Sequence, residues 1–115
     1  MANCCENWVR ISGDEKQVKE FLELVGKEFN FKKVIPVDKN TSGEAREKWG
    51  CSSIAFDVEY NKQDEDEHEW SFWTKWCPPS FVYEALRDRF PDVYIYWRYE
   101  EPGMEIYGYL QNEDF

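Results

Sequence analysis

Few residues in this chain have types that could do chemistry, and their spacing is poor for it. His68 is the one histidine, and it sits inside Glu65-Asp66-Glu67-His68-Glu69. A general base needs an ordered pocket and a partner, whereas this stretch reads as a charged hairpin tip with His68 at the surface. Glu100 and Glu101 stand side by side before Pro102-Gly103. Paired carboxylates can do acid–base or metal work, but adjacent side chains in a turn point apart. A hydrolase reading would use Glu101 with Asn7 or His68, and no reaction can be named for it. The acidic surface run Asp64, Glu65, Asp66 and Glu67 lacks the spaced ligands and the glycine of a calcium loop. Cys4, Cys5, Cys51 and Cys77 contain no C-x-x-C spacing, so they read as reduced, small apolar fillers rather than zinc ligands. No H-E-x-x-H, P-loop, G-x-S-x-G or G-x-G-x-x-G motif is present. No metal and no cofactor are expected, and the balance points away from an enzyme.

A chain of 115 residues has the length of one domain, so residues 1–115 are read as one unit. Its net charge is −10, yet 18% of its residues are aromatic. High charge with few aromatics would mean disorder; here the rings supply apolar area for a core. A groove for duplex DNA needs clustered Lys and Arg, which this balance opposes. The start is polar, and no stretch approaches the roughly 20 apolar residues of a membrane span. The expectation is a cytoplasmic protein without a membrane partner.

The positioning elements follow from periodicity. Residues 7–12 alternate as a strand, with Val9 and Ile11 on one face and Trp8 and Arg10 on the other. Ser12 and Glu15 have capping-box spacing, and Val18, Phe21, Leu22 and Val25 then form a helical stripe that Gly26 can end. Residues 29–37 read as an extended edge segment, because Pro36 cannot donate to a ladder. Residues 38–48 read as a surface loop or a short helical turn. Strands are predicted near 53–60, with Ile54, Phe56, Val58 and Tyr60 on one face, and near 69–76, with Trp70, Phe72, Thr74 and Trp76 on one face. Pro78-Pro79 suits a helix start, and Phe81, Val82, Ala85, Leu86 and Phe90 form its stripe. A strand over 93–99 puts Val93, Ile95, Trp97 and Tyr99 together. A last strand over 104–110 turns Met104, Ile106 and Leu110 inward. The order β-α-β-β-α-β plus one strand predicts an α+β, ferredoxin-like split β-α-β: an antiparallel sheet, two helices on one face, and an added C-terminal strand.

The same alternation assigns the uncovered face. It would carry Trp8, Arg10, Asp57, Glu59, Trp73, Lys75, Tyr94, Tyr96, Arg98, Glu105, Tyr107 and Tyr109. Half of these are aromatic, more than an ordinary solvated sheet face needs. Three readings stand: cross-strand pairs that stabilise the sheet or a register one residue away that moves all the rings inside, a protein-binding surface, and a platform on which a flat ligand stacks. RNA-binding sheets of this topology stack bases on aromatics, but the Gly-Phe-aromatic pattern with flanking basic residues is absent. Direct nucleic-acid binding is not expected.

Several segments together resemble the ferredoxin-like domain family of Api-like proteins, small proteins of phages, plasmids and bacterial genomes. They are Asn3-Cys4-Cys5-Glu6-Asn7 before Val9-Arg10-Ile11-Ser12-Gly13, Phe29-Asn30-Phe31 with Val34-Ile35-Pro36, and Trp49-Gly50. Phe72-Trp73-Thr74-Lys75-Trp76-Cys77-Pro78-Pro79 and Tyr99-Glu100-Glu101-Pro102-Gly103-Met104 complete the set. In two places the chain departs from the family pattern: Cys4 stands where the opening motif has Trp, and a second Trp with its Lys and Asn is missing after Trp49-Gly50. The resemblance implies the fold and carries no established activity. It also suggests that Asn3, Glu6, Asn7, Trp49, Trp76 and Glu101 meet at one sheet end, unless these residues simply shape loops and core. With the acidic surface, it leads to the expectation of a non-enzymatic binding protein that inhibits a host defence protein. It would act as an anti-CRISPR-type inhibitor, with carboxylates imitating nucleic-acid phosphates. The alternative is a small-molecule or nucleotide-binding module using the aromatic face. A homodimer through that face is compatible with both.

Overall fold

The computed structural model describes residues 4–38, 41–64, 67–101, 103 and 106–110. Strand β1 (Cys4–Gly13) alternates cleanly, with Cys5, Asn7, Val9 and Ile11 inside. It is the central strand of a five-stranded antiparallel sheet in the order β2-β3-β1-β4-β5. Ser12 does not cap the first helix, because it still belongs to β1 and pairs with Tyr94. The chain turns at Gly13 (φ +132°), where a Cβ would sit 2.5 Å from the Asp92 carbonyl oxygen. Asp14 takes the capping role for α1 (Glu15–Val25), its carboxylate accepting from the Gln17 N–H at 3.0 Å. Val18, Phe21 and Val25 face the core as their spacing predicts, and Gly26 ends the helix at φ 67°.

The expected edge segment over 29–37 is a correction. Asn30 accepts from the N–H groups of Lys32 and Lys33 and starts a short helix, α2 (Phe31–Val34). Phe29 adopts φ 51° and is wholly buried. Its ring lies 4.9 Å from Phe72, 5.2 Å from Trp70, 5.4 Å from Trp97, 6.1 Å from Phe31 and 6.2 Å from Phe21. A left-handed residue costs about 1–2 kcal/mol, and burying a Phe ring returns about 1.5–3 kcal/mol, so burial wins. The 38–48 stretch contains α3 (Ser42–Trp49), capped by Thr41 and ended by Gly50. Trp49 is buried against Phe31, and its indole N–H donates to the Ile35 carbonyl at 2.8 Å.

Strands β2 (Phe56–Asp64) and β3 (Glu67–Lys75) form a hairpin. A register shift follows Phe56, with Asp57 at φ 51°, so Phe56 pairs with Trp73 while Tyr60 pairs with Trp70. This bulge turns Phe56 to the open face, against the expectation that it shares a face with Val58 and Tyr60. His68 is a second correction, since it is buried rather than at a surface tip. The hairpin extends further than its charge suggested, and two-residue alternation carries His68 inward with Trp70 and Phe72. Its Nδ1 lies 2.7 Å from the Tyr60 hydroxyl.

Trp76 leaves β3 at φ 80° and is half exposed instead of continuing the inner face. Helix α4 (Ser80–Arg89) buries Val82, Tyr83 and Leu86. Phe81 is exposed, and Tyr83 packs edge-on to Trp97 in its place, at 5.9 Å. Strand β4 (Val93–Glu101) pairs with β1 and with β5 (Ile106–Leu110). Leu110 packs against the core; Met104, Glu105 and the side chain of Ile106 lie outside the described residues. The α+β, ferredoxin-like order is therefore present, with β5 added at the β4 edge. The two expected helices are α1 and α4, and α2 and α3 fill the crossover to β2. Phe29 is the hub of the core they share. Phe29→Ala should lower unfolding free energy by about 3–5 kcal/mol in chemical denaturation; a loss under about 1 kcal/mol would contradict this placement.

Candidate functional site

The described helices cover the inner face of the sheet, and strand alternation defines the outer face. Tyr94, Tyr107 and Tyr109 are 67%, 78% and 51% exposed, and Tyr96 is 37% exposed. Tyr96 and Tyr109 are diagonal neighbours across β4 and β5, with ring centroids 5.5 Å apart. A hydrogen bond to Tyr109 holds the Tyr96 phenol above its ordinary pKa. Trp8 and Trp73 are half-buried on the same face, and Phe56 adds a ring opposite Trp73. The Arg98 guanidinium lies 4.3 Å over the Trp8 ring and pairs with Glu100 at 3.2 Å. Arg10 pairs with Glu69 at 3.1 Å and lies 3.9 Å from Glu67. Lys75 is exposed at the end of β3.

These residues form two regions. Trp8, Arg10, Ser12, Glu67, Glu69, Tyr94, Tyr96 and Arg98 line a shallow groove of about 490 Å³. At the other end, burial raises the Glu6 pKa, the Glu100 and Glu59 charges raise it further, and Arg98 offsets part of the rise. Part of that rise, after burial, comes from the neighbouring carboxylates gathered at this end. Of the acidic run, Glu67 is a strand residue on this face, while Glu65, Asp66 and the Asp64 side chain lie outside the described residues.

The motif residues do not form one site. Glu6 points to the open face, whereas Asn7 and Glu101 are buried on the inner one. Trp49 is locked into the core by α3, and Trp76 is half exposed beyond β3. Asn3 lies outside the described residues. What does meet is a buried polar network that the sequence did not reveal. The Asn7 amide donates to Thr74 Oγ1 at 3.1 Å and to the Cys5 carbonyl at 3.2 Å, and its oxygen accepts from the Trp97 indole at 3.0 Å. Thr74 donates to the Cys77 carbonyl at 2.8 Å. Thr74 and Trp97 had carried only the inward alternation of their strands, and only the strand order shows that they flank Asn7. Among the described residues no group of three or more His, Cys, Asp or Glu side chains could hold a metal ion. The open face offers a broad surface of rings and ion pairs.

A split β-α-β sheet with an extra edge strand, helices on one face and rings on the other, defines a ferredoxin-like α+β protein. Residues 55–114, more than half of the chain, match the model of the ferredoxin-like domain in Api92-like protein, and the chain belongs to that family. The crystal structure of protein api92 from Yersinia pseudotuberculosis is similar with a TM-score of 0.69, over 95% of this chain and 93% of that one. Identity between the two is 9%, so the likeness bears on the fold alone. No curated protein matches the chain.

The buried thiols give a test of the inner side. Burial pushes Cys5 and Cys51 from an ordinary 9.0 up to about 12. The unfolded chain therefore loses these protons first, and the folded chain holds more of them between pH 9 and about 12. Their contribution to stability is complete below pH 9 and falls as pH rises toward 12. Denaturation midpoints should decline across that window, and Cys51→Ala should weaken the decline. An unchanged slope in the variant would contradict the burial of that thiol.

Proposed function

We propose that the chain is a non-enzymatic binding protein that docks a basic protein surface on its open sheet face. The observation that carries this reading is the set of exposed tyrosines beside the Trp8–Arg98 stack, on a face that no described helix covers. Tyr, Trp and Arg are the residues that dominate binding energy at interfaces, because they bury large area at little entropic cost. Charge sets the partner's sign. Glu6, Glu59, Glu67, Glu69 and Glu100 outnumber Arg10, Lys75 and Arg98 on this face, and the whole chain carries −10. A basic partner is steered in and a like-charged one repelled. The same charge opposes a homodimer through this face.

A basic surface of this kind belongs to nucleic-acid-binding proteins, and carboxylates would stand where phosphates otherwise sit. For a protein of a phage or plasmid, that partner would be a host defence protein and the outcome its inhibition in the cytoplasm. A phosphate ligand fits the groove less well, because Arg10 and Arg98 are already engaged by Glu69 and Glu100.

The experiment is capture from bacterial lysate on immobilised protein, with wild type beside a Tyr94→Ala/Tyr96→Ala variant. Wild type should retain a basic protein at low salt and release it as salt rises. The variant should retain about thirtyfold less or lower, the loss expected from one interface hot spot. Equal retention by both proteins would overturn the reading.

A further inference from the structure

Apart from the open face, the inner side holds a carboxylate that nothing described satisfies. Glu101 ends β4, is 1% exposed, and neither of its oxygens has a hydrogen-bond partner among the described residues. It lies one step beyond the Glu6–Glu100 pair, beside Cys5 of β1. The groups nearby are already engaged. Asn7 spends its donors on Cys5 and Thr74, and Thr74 donates to Cys77. The negative charge of Glu101 is among the influences that raise the Cys5 thiol. No ion pair reaches Glu101 among the described residues. A buried charge without a partner is strongly destabilising, and more than about nine in ten buried polar groups in folded proteins are satisfied.

We propose that Glu101 is the counter-ion of a primary ammonium group that none of the described residues supplies, seated beside Cys5 and Thr74 where β1, β3 and β4 meet. The ligand class follows from the donor count. Two unsatisfied acceptors in an enclosed place call for a compact cation that only donates. A metal ion is a poor fit, because no cluster of three or more His, Cys, Asp or Glu side chains is set to hold one among the described residues. A guanidinium brings five donors in a planar fork, two more than an ammonium, and each would need an acceptor. An ammonium has three donors, two for the carboxylate and a third for the remaining lone pair of Thr74 or the Cys5 sulfur. This site lies on the inner side of the sheet and does not rest on the docking role of the open face.

The ammonium can come from a small free amine or from a lysine side chain, and the test separates them. The full chain is titrated at constant ionic strength with methylammonium, with Nα-acetyl-lysine methylamide, and with tetramethylammonium, which has no donor. Thermal midpoint and the NMR resonances of Cys5 and Glu101 are followed together. A primary amine should raise the midpoint saturably, by about a hundredfold in the folding equilibrium at a hundredfold excess over its Kd. It should shift those resonances, and tetramethylammonium should do neither. Response to methylammonium alone assigns a small amine, and response to the lysine analogue as well assigns a lysine side chain. Glu101→Gln should abolish the response. If that variant does not fold, the wild-type resonances decide, with Glu101→Asp as the second variant. No shift beyond the tetramethylammonium control, or an equal response in Glu101→Gln, overturns the proposal.

Discussion

Asn7 sits in the middle of the central strand, out of contact with water, and ties both neighbouring strands to it. Its amide reaches Thr74 on β3, and its oxygen receives the Trp97 indole of β4. The side-chain period of a strand is two, so a slip of one residue would send every inner ring outward and every outer ring inward. Apolar packing alone resists such a slip weakly in this sheet, because both faces are aromatic. The amide discriminates instead. A buried indole N–H left without an acceptor costs about 1–3 kcal/mol, and so does a stranded amide, so a slipped register leaves several groups unpaired at once. The partition of rings between core and open face therefore depends on this one side chain.

That partition explains how one chain is both acidic and aromatic. Phe21, Phe29, Phe31, Trp49, Trp70, Phe72, Tyr83, Phe90 and Trp97 fill the space between sheet and helices. Edge-on contacts run from Phe21 to Trp97 through Phe29. On the other side, Trp8, Phe56, Trp73 and four tyrosines share the surface with paired charges. The Arg98–Trp8 and Arg10–Glu69 contacts hold this face in a defined shape but are exposed, so they contribute little to folding. Their use is to keep rings and charges placed for a partner.

Alternation and helical stripes were enough to read the strand and helix order from the residues, and with it the ferredoxin-like plan and the outer position of Tyr94, Tyr96, Tyr107 and Tyr109. Departures came where a single residue breaks a period. A bulge beside Asp57 turned Phe56 outward, and nothing local distinguishes that Asp from any other on a strand. Asn30 made a helix where Pro36 argued for an edge. His68 lay in so charged a run that its place in the alternation was overridden. The motif spacing points to Glu101 and Asn7, but as part of one shared site with Trp49 and Trp76. Tertiary packing separates those two, because α3 draws Trp49 into the core and the left-handed Trp76 leaves the strand.

The most direct test of the central claim, a register that leaves one aromatic face open, is residue-resolved tyrosine nitration of the free protein. It would be done at a concentration where sedimentation shows a monomer, with peptide mapping by mass spectrometry. The account predicts early modification of Tyr94, Tyr107 and Tyr109, with Tyr83 protected until unfolding. Protection of Tyr94 and Tyr107 in the folded monomer, or early modification of Tyr83, would contradict it.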